Sequence, residues 1–198
     1  KIIANHNVKK TNTYKMVALL TNIINFVIYT TSLYNIDESH GLTHSMDVLN
    51  NANYILESEV GCHPYLLGQT KIIYVASVLH DMCDKKYTAE TDGVAILREK
   101  LRDLVDEHSL WVIIKIITTM SYSTVKKDGY PELGEYQMAY HVVREADLLA
   151  AYDIDRCIMY SMYTKNANYS EALDAAIVLF DHRVLKHRKD RLFVTNYS

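Results

Sequence analysis

The sequence predicts an all-α fold, a single domain of about seven to nine helices. Only 6 Gly and 2 Pro occur among 198 residues, fewer than the tight turns of a sheet protein require. Apolar residues recur at helical spacing through most of the chain. The length allows one sizeable core, and neither a shift in composition nor an internal repeat divides the sequence. We therefore expect one domain over residues 1–198, with its core at about residues 35–190.

Three helices are predicted in the first part of the chain, at roughly residues 12–31, 42–59 and 67–82. Ser39-His40-Gly41 separates the first two, and Gly61-Cys62-His63-Pro64 forms a turn before the third. The third helix is almost continuously apolar, so we expect it to be central and the most buried. The residues expected to face inward from the first helix are Val17, Leu20, Ile23, Ile24, Val27 and Ile28.

Further helices are predicted at roughly residues 89–106 and 109–121, the latter with Ser109 as its N-cap. The segment from Ser121 to Gly134 contains Gly129 and Pro131 and is predicted to be a loop and a candidate lid. The last helices are expected at roughly residues 135–150, 152–165 and 170–190.

The composition restricts the classes of partner. The net charge of −3 argues against a nucleic-acid polymer as ligand, whereas a small anionic substrate needs only a local positive cluster. Three scattered cysteines without a CxxC pair indicate a reducing, intracellular and cytoplasmic location. We expect no signal peptide at the start of this sequence, because its first residues lead into polar ones. The apolar stretch Met16–Tyr34 is interrupted by Asn22 and Asn25, so we expect it to be too short and too polar to span a membrane. A homo-oligomer is compatible with the sequence.

Histidine and aspartate residues are concentrated in three segments. They are His40-Gly-Leu-Thr-His44, then His80-Asp81-Met-Cys-Asp84-Lys85-Lys86, and finally Glu145-Ala-Asp147. The second segment ends a helix that should be buried, where an imidazole and a carboxylate are costly unless they are paired or bind a metal. Two imidazoles and two carboxylates form a mixed nitrogen and oxygen ligand set that suits Mn, Mg, Fe or Zn.

The order H…HD…D, with the dyad ending an apolar helix, resembles the HD superfamily of metal-dependent phosphohydrolases. The closest branch is that of the bacterial-type HD nucleotide pyrophosphohydrolases. His40 and His44 match its H-x-x-x-H spacing, and His80-Asp81 with Asp84 and Lys86 is similar to its H-D-x-x-D-x-K motif. Ser121-Tyr122-Ser123, Ala146-Asp147 and the stretch Leu179–Lys186 are similar to later motifs, so the resemblance spans about residues 35–190.

The resemblance implies an HD-type helical bundle and a role for each matching residue. The metal ligands would be His44, His80, Asp81 and Asp147, holding one divalent ion. Mn or Mg is expected first, and Fe, Zn, Co or Ni would also be accepted. Asp84 and Lys86 would be the catalytic and phosphate-contacting pair, and His40 would line the phosphate pocket.

Substrate binding is expected to involve further positive groups, Lys85, Lys126, Lys127 and Arg144, near the transferred phosphate. The sequence also departs from the branch in two places. Leu148 and Ala150 replace its Arg and Asp after the last ligand, and Gly41 and Leu42 stand where Asp and Trp are usual.

The function expected from the sequence is hydrolysis of a phosphate ester or anhydride in a small metabolite, most simply a nucleotide, by water activated on the metal. One alternative is a diiron oxygenase of the HD type, with two irons and additional His ligands. If His108 and His141 were ligands, the site would be dinuclear, as in other HD branches. Another is a non-catalytic regulatory or binding module that retains the fold.

Overall fold

The computed structural model describes the backbone of residues 2–83 and 90–198, and the side chains of residues 13–83 and 93–198. Within these residues there are nine α-helices and no strand, which confirms the all-α prediction. The helices are α1 (Ile2–Leu33), α2 (Leu42–Glu59), α3 (Leu66–Leu79), α4 (Glu90–Leu101), α5 (Glu107–Thr119), α6 (Tyr122–Asp128), α7 (Gln137–Ala150), α8 (Ile154–Lys165) and α9 (Tyr169–His182). Short 3-10 helices cover Gly134–Tyr136 and Val184–Lys186.

Helix α5 begins two residues earlier than the sequence predicts, and its N-cap is Asp106 rather than Ser109. The Asp106 carboxylate accepts a hydrogen bond from the backbone N–H of Ser109 at 2.8 Å. The Ser109 hydroxyl donates to the same carboxylate at 2.6 Å. Ser109 is thus the residue that is capped, because a carboxylate satisfies a free N–H of the first turn and favours the positive end of the helix dipole.

The segment from Ser121 to Gly134 is not the continuous loop that its glycines and proline predict. Ser121 accepts a hydrogen bond from the N–H of Thr124 and caps the short helix α6. Gly129 ends this helix with a φ of 78°, a left-handed conformation that glycine adopts without strain. The prediction was wrong because it weighed the turn residues at 129–134 and overlooked the serine cap before them.

The last helix is also shorter than predicted. A capping box formed by Asn168 and Glu171 starts α9, which ends at His182 instead of continuing to residue 190. Arg183 leaves the helical conformation, with φ of −129° and ψ of −63°. The chain then turns back through the second 3-10 helix, so that residues 187–196 return towards α7.

Helix α1 is longer and less buried than predicted. Ile23 and Val27 are fully buried, whereas Val17 and Ile28, also expected inside, are 55% and 46% exposed. Its segment Thr13–Leu33 has 21 residues and a mean hydropathy of 1.6, and only 17% of its apolar window is buried. By length and composition alone this segment is able to cross a membrane, contrary to the sequence-based expectation, although core helices of soluble proteins meet the same criterion.

Helix α3 is the centre of the core, as predicted. It packs against α1, α2, α5 and α7, and Ile73, Val75, Ala76 and Val78 are fully buried. The hydroxyl of Tyr74, in the middle of α3, donates to Asn53 in the second half of α2. His80, which follows α3 directly, contacts His44 in the first turn of α2. Helices α2 and α3 are therefore antiparallel, and the start of α2 lies beside the end of α3.

Replacing Ile73 by Ala should destabilise the fold by about 2–5 kcal/mol, because the lost side chain leaves a cavity in a closely packed core. Leu67→Ala on the same helix is the control: Leu67 is 63% exposed, so its loss should change the free energy of unfolding by no more than about 0.5 kcal/mol. Urea denaturation followed by circular dichroism measures both. Equal effects of the two substitutions would contradict the central position of α3.

Candidate metal centre

Three helix ends meet at one point and carry the residues of the candidate site. His44 lies in the first turn of α2, His80 and Asp81 directly follow α3, and Asp147 lies in the last turn of α7. These three helices pack on one another in every pairwise combination. The carbonyl ends of α3 and α7 thus face the site, where their dipoles favour a positive charge, while the N-terminal end of α2 acts in the opposite direction.

The four side chains approach one another through their polar atoms. The Nε2 atoms of His44 and His80 are 3.0 Å apart. Asp147 Oδ1 lies 3.4 Å from the Nε2 of His44 and 3.6 Å from that of His80. Asp81 Oδ2 lies 3.4 Å and 3.2 Å from the same two nitrogens. The structure therefore brings together all four residues that the resemblance names as ligands.

The orientation of His80 is fixed by the backbone. Its Nδ1 is 2.8 Å from the carbonyl oxygen of Ser77, which accepts only a hydrogen bond, so Nδ1 carries the proton and donates it. In the neutral ring Nε2 then presents its lone pair to His44, Asp81 and Asp147. A histidine whose second nitrogen donates to a carbonyl is typical of metal sites, since this bond holds the ring in the ligating orientation.

The electrostatics of the site also indicate a concentration of acceptors. Burial alone would lower the pKa of His80, but the charge and hydrogen bond of Asp81 raise it to about 9. Burial would raise the pKa of Asp147, but the contact with His44 and the charge of His80 lower it to about 2. The pKa of Asp81 is likewise held far below its ordinary value, against burial, mainly by His80. Burial lowers the pKa of His44. Both carboxylates are thus ionised, and a positive charge between them is stabilised.

His44, His80 and Asp147 fit a metal ion by distance and by chemistry. Ligands bound at 2.0–2.2 Å with angles between octahedral and tetrahedral are roughly 2.8–3.6 Å apart, and the three separations among these residues lie in this range. Asp81, whose Oδ2 contacts both imidazoles, lies outside the group of ligand atoms that are all close to one another. His44, His80 and Asp147 form the one group among the described residues whose ligand atoms all lie within 4.8 Å of one another. This group can hold a metal ion.

His40 lies beside this cluster on the turn that precedes α2. Its ring centre is 6.3 Å from that of His44 and 5.4 Å from that of Tyr160 on α8. Ser39 fixes the turn: its N–H and its hydroxyl both donate to Asp37, and its Oγ is 2.8 Å from Nδ1 of His40. The first histidine of the H-x-x-x-H pattern is therefore next to the cluster but outside the ligand group.

Arg144, expected to bind substrate, is buried. It is 2% exposed, and its Nη2 donates to Glu145 at 2.9 Å and to the carbonyl of Leu192. Glu145, with no exposed surface, also accepts hydrogen bonds from the N–H groups of Val194 and Thr195. Arg144 thus binds the C-terminal segment to α7, and its charge is already paired.

The two lysines of α6 are at the surface. Lys126 donates to Asp190 at 3.0 Å and is half exposed. Lys127 is 81% exposed, near Asp128. Asp84, Lys85 and Lys86 lie outside the described residues.

The two histidines considered for a second ion lie apart from the cluster. His108 stacks on Trp111 and contacts the ring of Tyr136. His141 is 4.0 Å from Glu145 and packs edge-on against Tyr130. Neither belongs to a group of potential ligands within the part of the chain that the structure describes.

Two residues near the site have no distinguishing signal in the sequence. His187, within a basic run that suggests solvent exposure, is 1% exposed and surrounded by the rings of Tyr122, Tyr152 and Phe193. Arg156 lies in the first turn of α8 and donates from Nε to the carbonyl of Ser39. Its partner is 117 residues away, so no local pattern could have identified it.

Compared with family models, with curated proteins and with solved structures, the chain shows no match.

Removing the carboxylate of Glu145 should destabilise the fold by about 3–5 kcal/mol, because Glu145→Ala leaves the buried Arg144 without its counter-charge. Glu132→Ala, at an exposed position, is the control and should cost no more than about 0.5 kcal/mol. Denaturant unfolding measures both variants. A loss below about 1 kcal/mol for Glu145→Ala would show that the C-terminal segment is not held by this ion pair.

Acid should weaken the fold through His187 and His141. Burial, with the nearby charges of Arg183 and Arg144 respectively, lowers both pKa values to about 4 from 6.5. Asp147 and Asp190 act in the opposite direction on His187. The unfolded chain therefore binds more protons than the folded one between these values. The contribution to stability is complete above pH 6.5 and is lost as the pH falls towards 4, by up to about 3 kcal/mol for each histidine.

The variant His187→Phe isolates one of these groups, since it keeps an aromatic ring among aromatic neighbours. We expect the free energy of unfolding to fall less steeply between pH 6.5 and 4 than in the wild type. Denaturation at pH 7.5, where the imidazole is neutral in both states, gives the cost of the substitution itself. If the free energy of unfolding fell equally steeply with pH in both proteins, the neutral, buried state of His187 would be contradicted.

Proposed function

We propose that the chain is a metal-dependent phosphohydrolase that cleaves a phosphate ester or anhydride bond in a small metabolite, with nucleotides as the substrate class. The observation that carries this proposal is the convergence of His44, His80 and Asp147 on one point. The resemblance of the H…HD…D order to HD phosphohydrolases supports the choice of chemistry, because the same residues carry the sequence motif and form the cluster.

Asp81 would be the fourth ligand, because the resemblance names it and its Oδ2 contacts both imidazoles. A divalent ion held there would supply Lewis acidity and lower the pKa of bound water from 15.7 to about 7. Mn or Mg suits a set with two carboxylates best, and Fe, Zn, Co or Ni also accepts imidazole. Asp147 is 27% exposed, whereas His44 and His80 are nearly buried, so a substrate would approach from the side of Asp147.

The remaining roles come from the resemblance. Asp84 would orient or deprotonate the attacking water, and Lys86, with Lys85, would stabilise the negative charge that develops on the phosphoryl group. His40, next to His44, would contact the phosphate. Arg144, Lys126 and Lys127 were also expected to bind substrate; the pairing of Arg144 with Glu145 and of Lys126 with Asp190 favours a structural role for these two.

The two alternatives differ from this proposal in observable ways. A diiron oxygenase needs a second set of ligands, and the positions of His108 and His141 do not support one among the described residues. A non-catalytic module would have no need for a complete ligand set. The intact cluster therefore favours catalysis, and metal counting with a screen of phosphorylated metabolites separates the three: one ion with phosphate release, two irons with oxygen consumption, or bound metal without turnover.

Asp147→Asn should weaken Mn²⁺ binding by about 100-fold or more, since even the loss of outer-shell partners costs 10- to 100-fold. The substitution keeps the volume of the side chain and removes its charge. Phosphate release from nucleoside mono-, di- and triphosphates should be lost together with the metal. Calorimetric titration with Mn²⁺ and a phosphate assay measure the two effects, and circular dichroism verifies the fold.

Asp128→Asn makes the same chemical change at an exposed position beside Lys127 and should leave both measurements as in the wild type. Wild-type metal affinity in Asp147→Asn would remove Asp147 from the metal centre. Unchanged turnover in the metal-free variant would refute the proposed function.

A further inference from the structure

Arg156 attaches helix α8 to the turn beside the metal centre. Its Nε donates to the carbonyl oxygen of Ser39, whose hydroxyl and N–H are held by Asp37. One turn later on α8, the ring of Tyr160 lies 5.4 Å from that of His40. Arg156 and Tyr160 thus form one face of α8 that lies along the turn leading into α2.

This face lies close to the cluster. His40 follows Ser39 directly, and its ring is 6.3 Å from that of His44. Arg156 is therefore fixed to the turn that carries His40 and leads into His44.

The charge of Arg156 is not neutralised in the way that the charge of Arg144 is. Arg144 is paired with Glu145 at 2.9 Å, whereas within residues 13–83 and 93–198 no carboxylate oxygen lies within 4.0 Å of Arg156. Only the Nε of its fork has a hydrogen-bond acceptor among these residues. A partly buried guanidinium with unused donors is suited to an anion, and its planar fork matches two oxygens of a phosphate.

We propose that Arg156 binds the phosphate group of the substrate at the metal centre, with its Nε fixed to Ser39 and its terminal nitrogens directed to the phosphate oxygens. This inference rests on the proposed function and identifies the group that recognises the anion. Fixing one donor to the backbone orients the others in advance, so less side-chain freedom is lost when the phosphate binds.

The test is a titration of the Mn²⁺-loaded full chain with inorganic phosphate. In Arg156→Gln the dissociation constant should rise by about tenfold or more, since charge-assisted hydrogen bonds are among the strongest polar contacts. Arg156→Lys keeps the charge but loses the fork and should give an intermediate affinity. In turnover assays the reduced kcat/KM should result mainly from a higher KM. Arg102→Gln, at an exposed arginine near Asp103, is the matched control and should bind phosphate as the wild type does.

Mn²⁺ affinity and the thermal midpoint of each variant distinguish binding from structure. Weaker phosphate binding with unchanged Mn²⁺ affinity supports the proposal. Wild-type phosphate affinity in Arg156→Gln overturns it while leaving the proposed function intact. Equal loss of Mn²⁺ and phosphate binding overturns it in favour of a structural role for Arg156. If Arg156→Gln does not fold, wild-type phosphate affinity in Arg156→Lys overturns the proposal that the planar guanidinium of Arg156 binds the phosphate. A wild-type protein that binds Mn²⁺ but neither phosphate nor nucleotides refutes the proposed function, and this inference with it.

Discussion

The short contact between the Nε2 atoms of His44 and His80 constrains much of the molecule. Two nitrogens 3.0 Å apart and the carboxylate of Asp147 converge on one point, and the carboxylate of Asp81 contacts both imidazoles. Such an arrangement is stable only with a positive charge at its centre, whether a proton or a cation. The packing of α2, α3 and α7 holds the four groups there, and the carbonyl ends of α3 and α7 add to the demand for positive charge.

The sequence predicted much of this centre because its residues interrupt apolar helices. A histidine and an aspartate at the end of the most hydrophobic helix are informative in themselves, since such groups are rarely buried without a partner. The helix boundaries of α2 were predicted to the residue. Errors arose where a single side chain decides the local structure: the carboxylate of Asp106 starts α5 and the hydroxyl of Ser121 starts α6.

What could not be predicted is which charges are neutralised. Arg144 lies in the middle of α7 and Arg156 in the first turn of α8, and each has an acidic residue beside it in the sequence, Glu145 and Asp155. The first is paired with the adjacent Glu145, and the second donates to a carbonyl 117 residues away. His187 was hidden for the same reason, because the side chains that surround it come from distant segments. Long-range contacts of this kind depend on the whole topology and leave no periodic pattern.

The link between Glu145 and the segment after Leu192 also imposes an order on biosynthesis. Val194 and Thr195 follow Glu145 by 49 and 50 residues, so a ribosome has to synthesise all of α8 and α9 before the backbone donors for this carboxylate exist. Until then the carboxylate of Glu145 is paired with Arg144 but lacks the two backbone N–H groups that complete its hydrogen bonds. Because Asp147 lies on the same helix, the helix that carries this residue of the candidate metal centre gains its C-terminal contacts only after residues 194 and 195 have been synthesised.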